Sequence, residues 1–163
     1  MKSSMSYSTH RGMIILNARF HVALRKNYKQ MKKDIDFQKV TGVKIAIAKE
    51  ETSNGPEWAV YLINLNLIEL KTVMITSKGY GELQGESKKT STLRHMIDEL
   101  GPQAVAKVEP IDPALFALTN EFWVSYYILD QIFDKKFIFT SGSFDPGFIQ
   151  LIPEIGLEGV LHS

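Results

Sequence analysis

The stretch that decides the fold runs from residue 121 to residue 130 and reads Glu-Phe-Trp-Val-Ser-Tyr-Tyr-Ile-Leu-Asp; residues 134–140 follow as Asp-Lys-Lys-Phe-Ile-Phe-Thr. Both segments are rich in aromatic and β-branched residues, which predicts a hairpin of two long strands joined through residues 131–133. Two sets of side chains alternate along the first strand: Phe122, Val124, Tyr126 and Ile128, then Trp123, Ser125, Tyr127 and Leu129. Because both sets are largely apolar, this strand is predicted to lie inside a sheet, with one face on a core and the other partly covered.

The rest of the chain is interpreted as further strands around this hairpin. Alternating or β-branched runs predict strands at residues 43–48, 58–64, 72–77 and 104–109, with a turn at 53–56 and one helical turn at 114–118. Residues 90–97 fit either a helix or a strand, and the all-β rhythm favours a strand. Residues 78–89 are interpreted as a flexible hairpin loop, and residues 148–153 with the C-terminal tail as edge segments. We therefore predict a single antiparallel β-sandwich, immunoglobulin-like in layout, of about seven or eight strands.

Composition limits the classes of function. A chain of 163 residues is long enough to bury a core as one domain, and it has no cysteine, which excludes disulfides and thiolate metal sites. Four scattered histidines make a zinc site improbable. Since no run approaches the roughly 20 apolar residues of a membrane span, no membrane association is expected. Neither a metal nor another cofactor is predicted.

The first thirty residues differ in composition from the remainder. Residues 1–33 contain eight basic residues and no acidic one, whereas residues 34–163 contain the other eleven basic residues and all eighteen acidic ones. Residues 1–30 are predicted to be a disordered basic leader or an extension from a start codon upstream of Met31, and residues 31–163 the sandwich domain. A transit peptide, or an arm that touches nucleic acid or anionic lipid, also fits this composition.

One pair of residues, Arg94 and His95, is a candidate for a catalytic site. Arg94 is the only arginine after Arg25, and Ser91 and Asp98 lie nearby in sequence. On a strand, however, Asp98 points away from the face that Ser91 and His95 share, so this set cannot align as nucleophile, base and orienting acid. No catalytic residue is predicted, and partly exposed sheet residues are the preferred interpretation of the pair.

Two further patterns resemble ligand-binding sites. Residues 79–85 spell a dinucleotide-binding glycine pattern, but no amphipathic helix follows to receive a pyrophosphate. The carboxylates Glu121, Asp130, Asp134 and Asp145 lack the spacing of a calcium loop. Both patterns are interpreted as turns and strand ends.

A basic patch is the remaining candidate surface. Its predicted members, with the histidine included, are Lys78, Tyr80, Lys88, Lys89, Arg94, His95, Lys135 and Lys136. With Tyr80 or Tyr127 as a stacking surface, such a patch suits single-stranded nucleic acid, although an acidic body weakens that interpretation. Trp58 and Trp123 are interpreted as core residues.

Several segments together resemble a known family. They are residues 58–64, Ser77-Lys78-Gly79-Tyr80-Gly81, residues 89–95, Asn120-Glu121-Phe122 and Asp134-Lys135-Lys136-Phe137. Over residues 31–160 the chain resembles a small bacterial family of uncharacterised proteins, some labelled phenylalanyl-tRNA synthetase alpha subunit. A class II synthetase core has an arginine in its motif 2 strand and another in a Gly-rich motif 3, whereas residues 31–163 contain Arg94 alone. The resemblance therefore implies a bacterial, cytoplasmic protein and carries over no catalytic residue.

The sequence is compatible with three functions. The leading hypothesis is a non-catalytic binding or interaction module that uses the basic patch, with a protein partner or a second copy as its ligand. The second is an RNA- or tRNA-associated accessory protein, suggested by the family label. The third is a small hydrolase centred on His95, which requires a carboxylate within hydrogen-bond reach of that histidine.

Overall fold

The computed structural model describes residues 41–163, and these form ten β-strands with three short 3-10 helices. The strands are β1 (Val43–Thr52), β2 (Gly55–Asn64), β3 (Leu70–Leu83), β4 (Glu86–Lys89), β5 (Leu93–Leu100), β6 (Val105–Pro110), β7 (Thr119–Ile128), β8 (Gln131–Phe139), β9 (Gln150–Ile152) and β10 (Leu157–His162). The 3-10 helices span Pro113–Ala117, Ser141–Phe144 and Pro146–Phe148. The predicted leader, residues 1–30, and the first ten residues of the predicted domain lie outside the described residues.

Two antiparallel five-stranded sheets pack together, which confirms the all-β prediction. The first sheet has the order β6-β2-β1-β10-β9, and the second has the order β4-β3-β7-β8. Strand β5 pairs with residues 70–77 of β3 and β4 with residues 80–83, so these two short strands share one edge of the second sheet. Ten strands are present in place of the predicted seven or eight. One additional strand is β4, whose four residues lie in the segment interpreted as a loop and carry too short a pattern for a periodic signal.

Inward-facing side chains of both sheets form the core. Its members include Ile45, Ile47, Val60 and Leu62 from the first sheet and Val73, Ile75, Phe122, Val124 and Phe137 from the second. A smaller buried cluster, with Ala46, Ala48 and Tyr61 among its members, lies on the opposite face of the first sheet. Burying these branched and aromatic side chains, at about 1.5–3 kcal/mol each, is the main force that joins the sheets.

The central hairpin forms as predicted, but its turn is earlier. Strand β7 lies between β3 and β8, so the predicted interior position is confirmed. Phe122, Val124 and Tyr126 are buried, as the alternation predicts. The turn is at Leu129 and Asp130, and residues 131–133 belong to β8, where they pair with residues 126–128 of β7. Phe133 also stacks on Tyr126, with ring centroids 5.7 Å apart.

The glycine-rich segment at residues 78–89 is a strand pair, so its prediction as a flexible loop was wrong. Strand β3 continues to Leu83, and a two-residue turn at Gln84 and Gly85 leads into β4. Both turn residues have positive φ, 56° and 79°, as a type I′ hairpin turn requires. The polar composition that suggested a loop reflects instead an edge hairpin whose side chains face water.

The C-terminal tail was predicted to supply edge segments, and this is correct for β9 alone. Strand β10 lies inside the first sheet, between β1 and β9. It pairs with β1 from Ile45 opposite His162 to Lys49 opposite Glu158. The predicted helical turn near residue 114 is confirmed, and Asp112 caps it by accepting a hydrogen bond from the Ala114 backbone N–H at 2.8 Å.

Candidate interaction surface

The side of the second sheet that points away from the core exposes large apolar side chains; we call this side the outer face. The exposed apolar residues on it are Met74, Met96, Trp123, Tyr127, Ile132 and Ile138. The strand registers make them neighbours: Met96 lies opposite Met74, and Tyr127 lies opposite Ile132. Trp123, which is 47% exposed, lies between Thr76 and Lys136 in one row across the sheet.

A charged cluster adjoins these apolar residues. Glu121 lies on β7 with Lys78 opposite it on β3, and its side chain is only 8% exposed. Its Oε1 atom accepts from Lys78 Nζ at 3.0 Å and from Lys136 Nζ at 3.5 Å, and its Oε2 atom accepts from the Tyr80 hydroxyl at 3.4 Å. One buried carboxylate therefore holds two lysines and a tyrosine in place.

The cations of this cluster also contact aromatic rings. Lys136 Nζ lies 5.1 Å from the centroid of the Trp123 ring, and Lys78 Nζ lies 5.8 Å from that of Tyr80. Such contacts stabilise by about 0.5–1 kcal/mol when exposed. The contact with Lys136 favours the observed orientation of the Trp123 indole on the outer face.

The cluster predicts a specific loss of stability in acid. Burial disfavours the charged form of Glu121, but the two lysines outweigh that effect and hold its pKa below the usual 4.5. The carboxylate therefore stabilises the fold above about pH 4.5, and this contribution is lost as the pH falls through the lowered pKa. We expect Glu121→Gln to reduce the unfolding free energy by about 1 kcal/mol at pH 7.

Urea unfolding at pH 7 and at pH 3 measures this effect. The deficit of Glu121→Gln should shrink as the pH falls from 7 to 3, because protonation of the Glu121 carboxylate progressively removes the same interaction from the wild type. Glu86→Gln is the matched control, because Glu86 pairs with Lys88 in an exposed position. A Glu121→Gln deficit that is equal at both pH values would contradict a stabilising ionised Glu121.

The structure brings together part of the predicted patch and separates the rest. Lys78, Tyr80, Lys88 and Lys89 line one shallow hollow with Glu121 at the end of the β3–β4 hairpin. Arg94 and Lys136 lie on the same outer face, opposite Thr76 and Trp123 respectively.

The other two predicted residues point elsewhere. Lys135 lies opposite the buried Val124 and sits over the Phe137 ring, with its Nζ atom 5.0 Å from the centroid. His95 lies opposite the buried Ile75, so its side chain points to the core side of β5. There its Nε2 atom is 2.5 Å from Oε2 of Glu109 on β6. Successive side chains of a strand point to opposite sides of the sheet. Adjacent residues such as Arg94 and His95 therefore cannot contribute to the same surface.

Sequence reasoning missed Trp123 and Glu109. The interpretation of Trp123 as a core residue was wrong, because the apolar set that it belongs to faces solvent. Trp58 does pack inside, edge-on against Phe116 with ring centroids 5.1 Å apart. A signal for the outer face was present in the two apolar faces of β7, but the sequence does not say which of them meets the other sheet.

Comparisons with known proteins give no relative: the chain matches no protein-family model and no curated protein. Within residues 41–163, no helix is long and apolar enough to cross a membrane. In the same part of the chain, no three histidine or carboxylate side chains converge as metal ligands would.

Proposed function

We propose that this protein is a non-catalytic interaction module that binds a protein partner through the outer face of the second sheet. The observation that carries the proposal is the exposure of Trp123 beside the other apolar side chains of that face. Several large apolar side chains grouped on one exposed sheet face are a feature of binding sites. Trp, Tyr, Met and Arg are also the residues enriched at protein interfaces.

The charges around this patch indicate the chemistry of the partner. Lys78, Lys136 and Arg94 surround the apolar side chains, and the acidic Glu121 is already engaged by the two lysines. Asp134, which lies opposite Ser125, and Asp98, two residues after Met96 on β5, are exposed on the same face, so its border carries charges of both signs. This border suits a partner segment with apolar side chains flanked by both acidic and basic residues.

The immunoglobulin-like layout is part of the same proposal. Three strand pairs support it: β2 with β6, β3 with β7, and β7 with β8 match the B–E, C–F and F–G pairs of that fold. In this correspondence β9 and β10 are additions beside the first strand. The outer face is then the open face of the sheet that contains the C, F and G strands.

An RNA-associated role is the alternative from a different class. Two exposed aromatic rings, Trp123 and Tyr127, lie on one sheet face with Arg94 and Lys136, and bases stack on such rings. The resemblance to the family with the synthetase label agrees with this role. Affinity that falls steeply with salt would distinguish RNA from a protein partner.

The hydrolase hypothesis has one observation in its favour. His95 has the carboxylate neighbour that it requires, because Glu109 lies within hydrogen-bond distance. No serine or threonine hydroxyl in residues 41–163 hydrogen-bonds to His95, however, so this set lacks the contact between nucleophile and base. Binding is therefore the better interpretation of the protein.

Site-specific photo-crosslinking tests the proposal. A photoreactive phenylalanine replaces Ile132 on the outer face, or as the control Leu151, which is similarly exposed on β9 of the other sheet. Tagged full-length chain is irradiated in an extract of its source organism, with and without nuclease. We expect nuclease-resistant protein adducts from position 132 and none of them from position 151.

A second substitution ties these adducts to Trp123. Adding Trp123→Ala should reduce their yield about tenfold or more, as for a central interface anchor. Leu129→Ala, which truncates a more exposed side chain in the β7–β8 turn, should leave the yield unchanged. Nuclease-sensitive adducts would favour the RNA role, and equal labelling from positions 132 and 151 would overturn the outer-face proposal.

A further inference from the structure

A cavity between the two sheets forms a second candidate site, separate from the outer face. Its volume is about 150 Å³, and it lies where the β4–β5 connection meets the end of β6. Its apolar walls include Leu93, Ile111, Leu115 and Phe122. A closed apolar cavity of this volume holds one benzene molecule, so the space suits a ligand of six to eight heavy atoms. Ser91 and Leu93 at its border are exposed, which leaves a route from solvent.

Six polar side chains line this cavity, and three of them, Ser77, Asn120 and Glu109, could contact a bound group. The others are Lys78, Ser91 and Thr90, whose hydroxyl is already bonded to the backbone of Gly79 and Ser91. Ser77 is 6% exposed and Asn120 is 3% exposed, and the Glu109 side chain is 10% exposed. None of the side-chain hydrogen bonds among residues 41–163 reaches the Ser77 hydroxyl or the Asn120 Oδ1 atom. Both atoms keep accessible surface, because Oε2 of Glu154 is the one fully buried side-chain nitrogen or oxygen atom without a hydrogen-bond partner among residues 41–163. They are therefore free to bond to a polar group that enters the cavity.

The hydrogen bonds of Asn120 fix which of its atoms is free. Its Nδ2 group donates to the carbonyl oxygens of Leu115 at 2.9 Å and Leu118 at 3.2 Å. Only the nitrogen of an amide can donate, so Oδ1 is assigned as the free acceptor. Asn120 lies opposite Gly79, and a Cβ atom at Gly79 would come within 3.4 Å of Oδ1. The glycine therefore keeps the space in front of this acceptor open.

Glu109 places a negative charge at the same cavity. It lies opposite the core residue Val60 on β2, so its side chain points between the sheets. Oε2 is paired with His95, and none of the hydrogen bonds within the described residues involves Oε1. Lys78 also borders the cavity, but its Nζ atom is bound to Glu121 on the outer face. Glu109 is thus the carboxylate available to a bound group.

We infer that this cavity binds a small primary amine with an apolar body. The ammonium group donates to the Glu109 carboxylate and to the Asn120 Oδ1 atom, and the apolar body packs against Phe122 and Leu115. Three N–H donors match acceptors of this kind, whereas a carboxylate ligand would meet the negative charge of Glu109. The inference does not depend on the function proposed for the outer face.

Titration of the 15N-labelled full chain with benzylamine, followed by two-dimensional NMR, tests this site. Benzyl alcohol and benzoate serve as probes of equal size with a neutral and a negative polar group. We expect saturable shifts of the amide signals of Ser77, Gly79 and Asn120 with benzylamine, at least tenfold weaker binding of benzyl alcohol, and no saturation with benzoate. No saturable shift with benzylamine, or equal affinity for all three probes, would overturn the inference.

Substitutions assign the polar contacts. Glu109→Gln should weaken benzylamine binding at least tenfold, while Glu158→Gln, at an exposed position on β10, should leave it unchanged. Ser77→Val, which places extra methyl groups in the cavity, should also weaken binding, and it decides the case if Glu109→Gln does not fold. Unchanged affinity in whichever of these variants folds would show that benzylamine binds elsewhere.

Discussion

Gly159→Ala is expected to lower the unfolding free energy by about 3 kcal/mol. Gly159 lies opposite Ala48 where β10 pairs with β1. A Cβ atom at this position would lie 2.6 Å from the Cα atom of Ala48 and would also collide with the carbonyl oxygen of Ile47. These are backbone atoms of a central strand, so no rotation of a side chain relieves the clash, and the two strands must separate.

Urea unfolding monitored by circular dichroism measures this loss. Gly147→Ala is the matched control, because a Cβ atom at Gly147 meets no atom within 4 Å. Its unfolding free energy should stay within about 0.5 kcal/mol of the wild type. If Gly159→Ala were equally neutral, β10 would not pair with β1 in the register described.

The contrast between β7 and β10 shows what the sequence could predict about this fold. Strand β7 has ten residues of alternating aromatic and β-branched character, so its type and its interior position follow from local pattern. Strand β10 has six residues, with a glycine among them, and it reaches the interior of its sheet by pairing with β1 from the other end of the domain. A non-local pairing of this kind leaves no mark on the periodicity of a short segment.

The same contrast between local pattern and non-local pairing applies to the candidate sites. Lys78 and Tyr80 were predicted as surface residues because they follow the third strand, and the structure places them together on β3. Strand alternation excluded Asp98 as the partner of His95 and left a distant carboxylate unidentified, and the structure supplies Glu109 from a strand of the other sheet. The meeting of β5 and β6 at the sandwich edge creates both this pair and the cavity, and neither follows from spacing along the chain.

Asn64 is the second position where a large effect is expected, because its amide joins three segments. The residue is fully buried at the end of β2. Its Nδ2 group donates to the carbonyl oxygens of Ile68 at 2.9 Å and Gly101 at 2.8 Å. Its Oδ1 atom accepts from the backbone N–H of Asn66 at 3.0 Å and from the Asn66 side chain at 2.9 Å. One side chain therefore ties β2 to the crossover into β3 and to the connection between β5 and β6.

Asn64→Asp should lower the unfolding free energy by at least about 3 kcal/mol at pH 7. The change keeps the size of the side chain and its acceptor, but it removes both N–H donors and leaves a buried carboxylate facing carbonyl oxygens. Burial and these dipoles would raise the pKa of the new carboxyl above its value in the unfolded chain. Because the unfolded state then loses its proton first, the destabilisation grows as the pH rises above the unfolded pKa, near 4.

Unfolding measured from pH 4 to pH 7 separates this mechanism from a simple packing defect. The deficit of Asn64→Asp should increase with pH, whereas that of Asn64→Ala should remain constant, since alanine does not titrate. Asn54→Asp makes the same chemical change in the exposed β1–β2 turn and should alter the unfolding free energy by less than about 0.5 kcal/mol. A pH-independent deficit in Asn64→Asp would mean that the new side chain turns to solvent. The three segments would then be held by their backbone hydrogen bonds and not by the Asn64 amide.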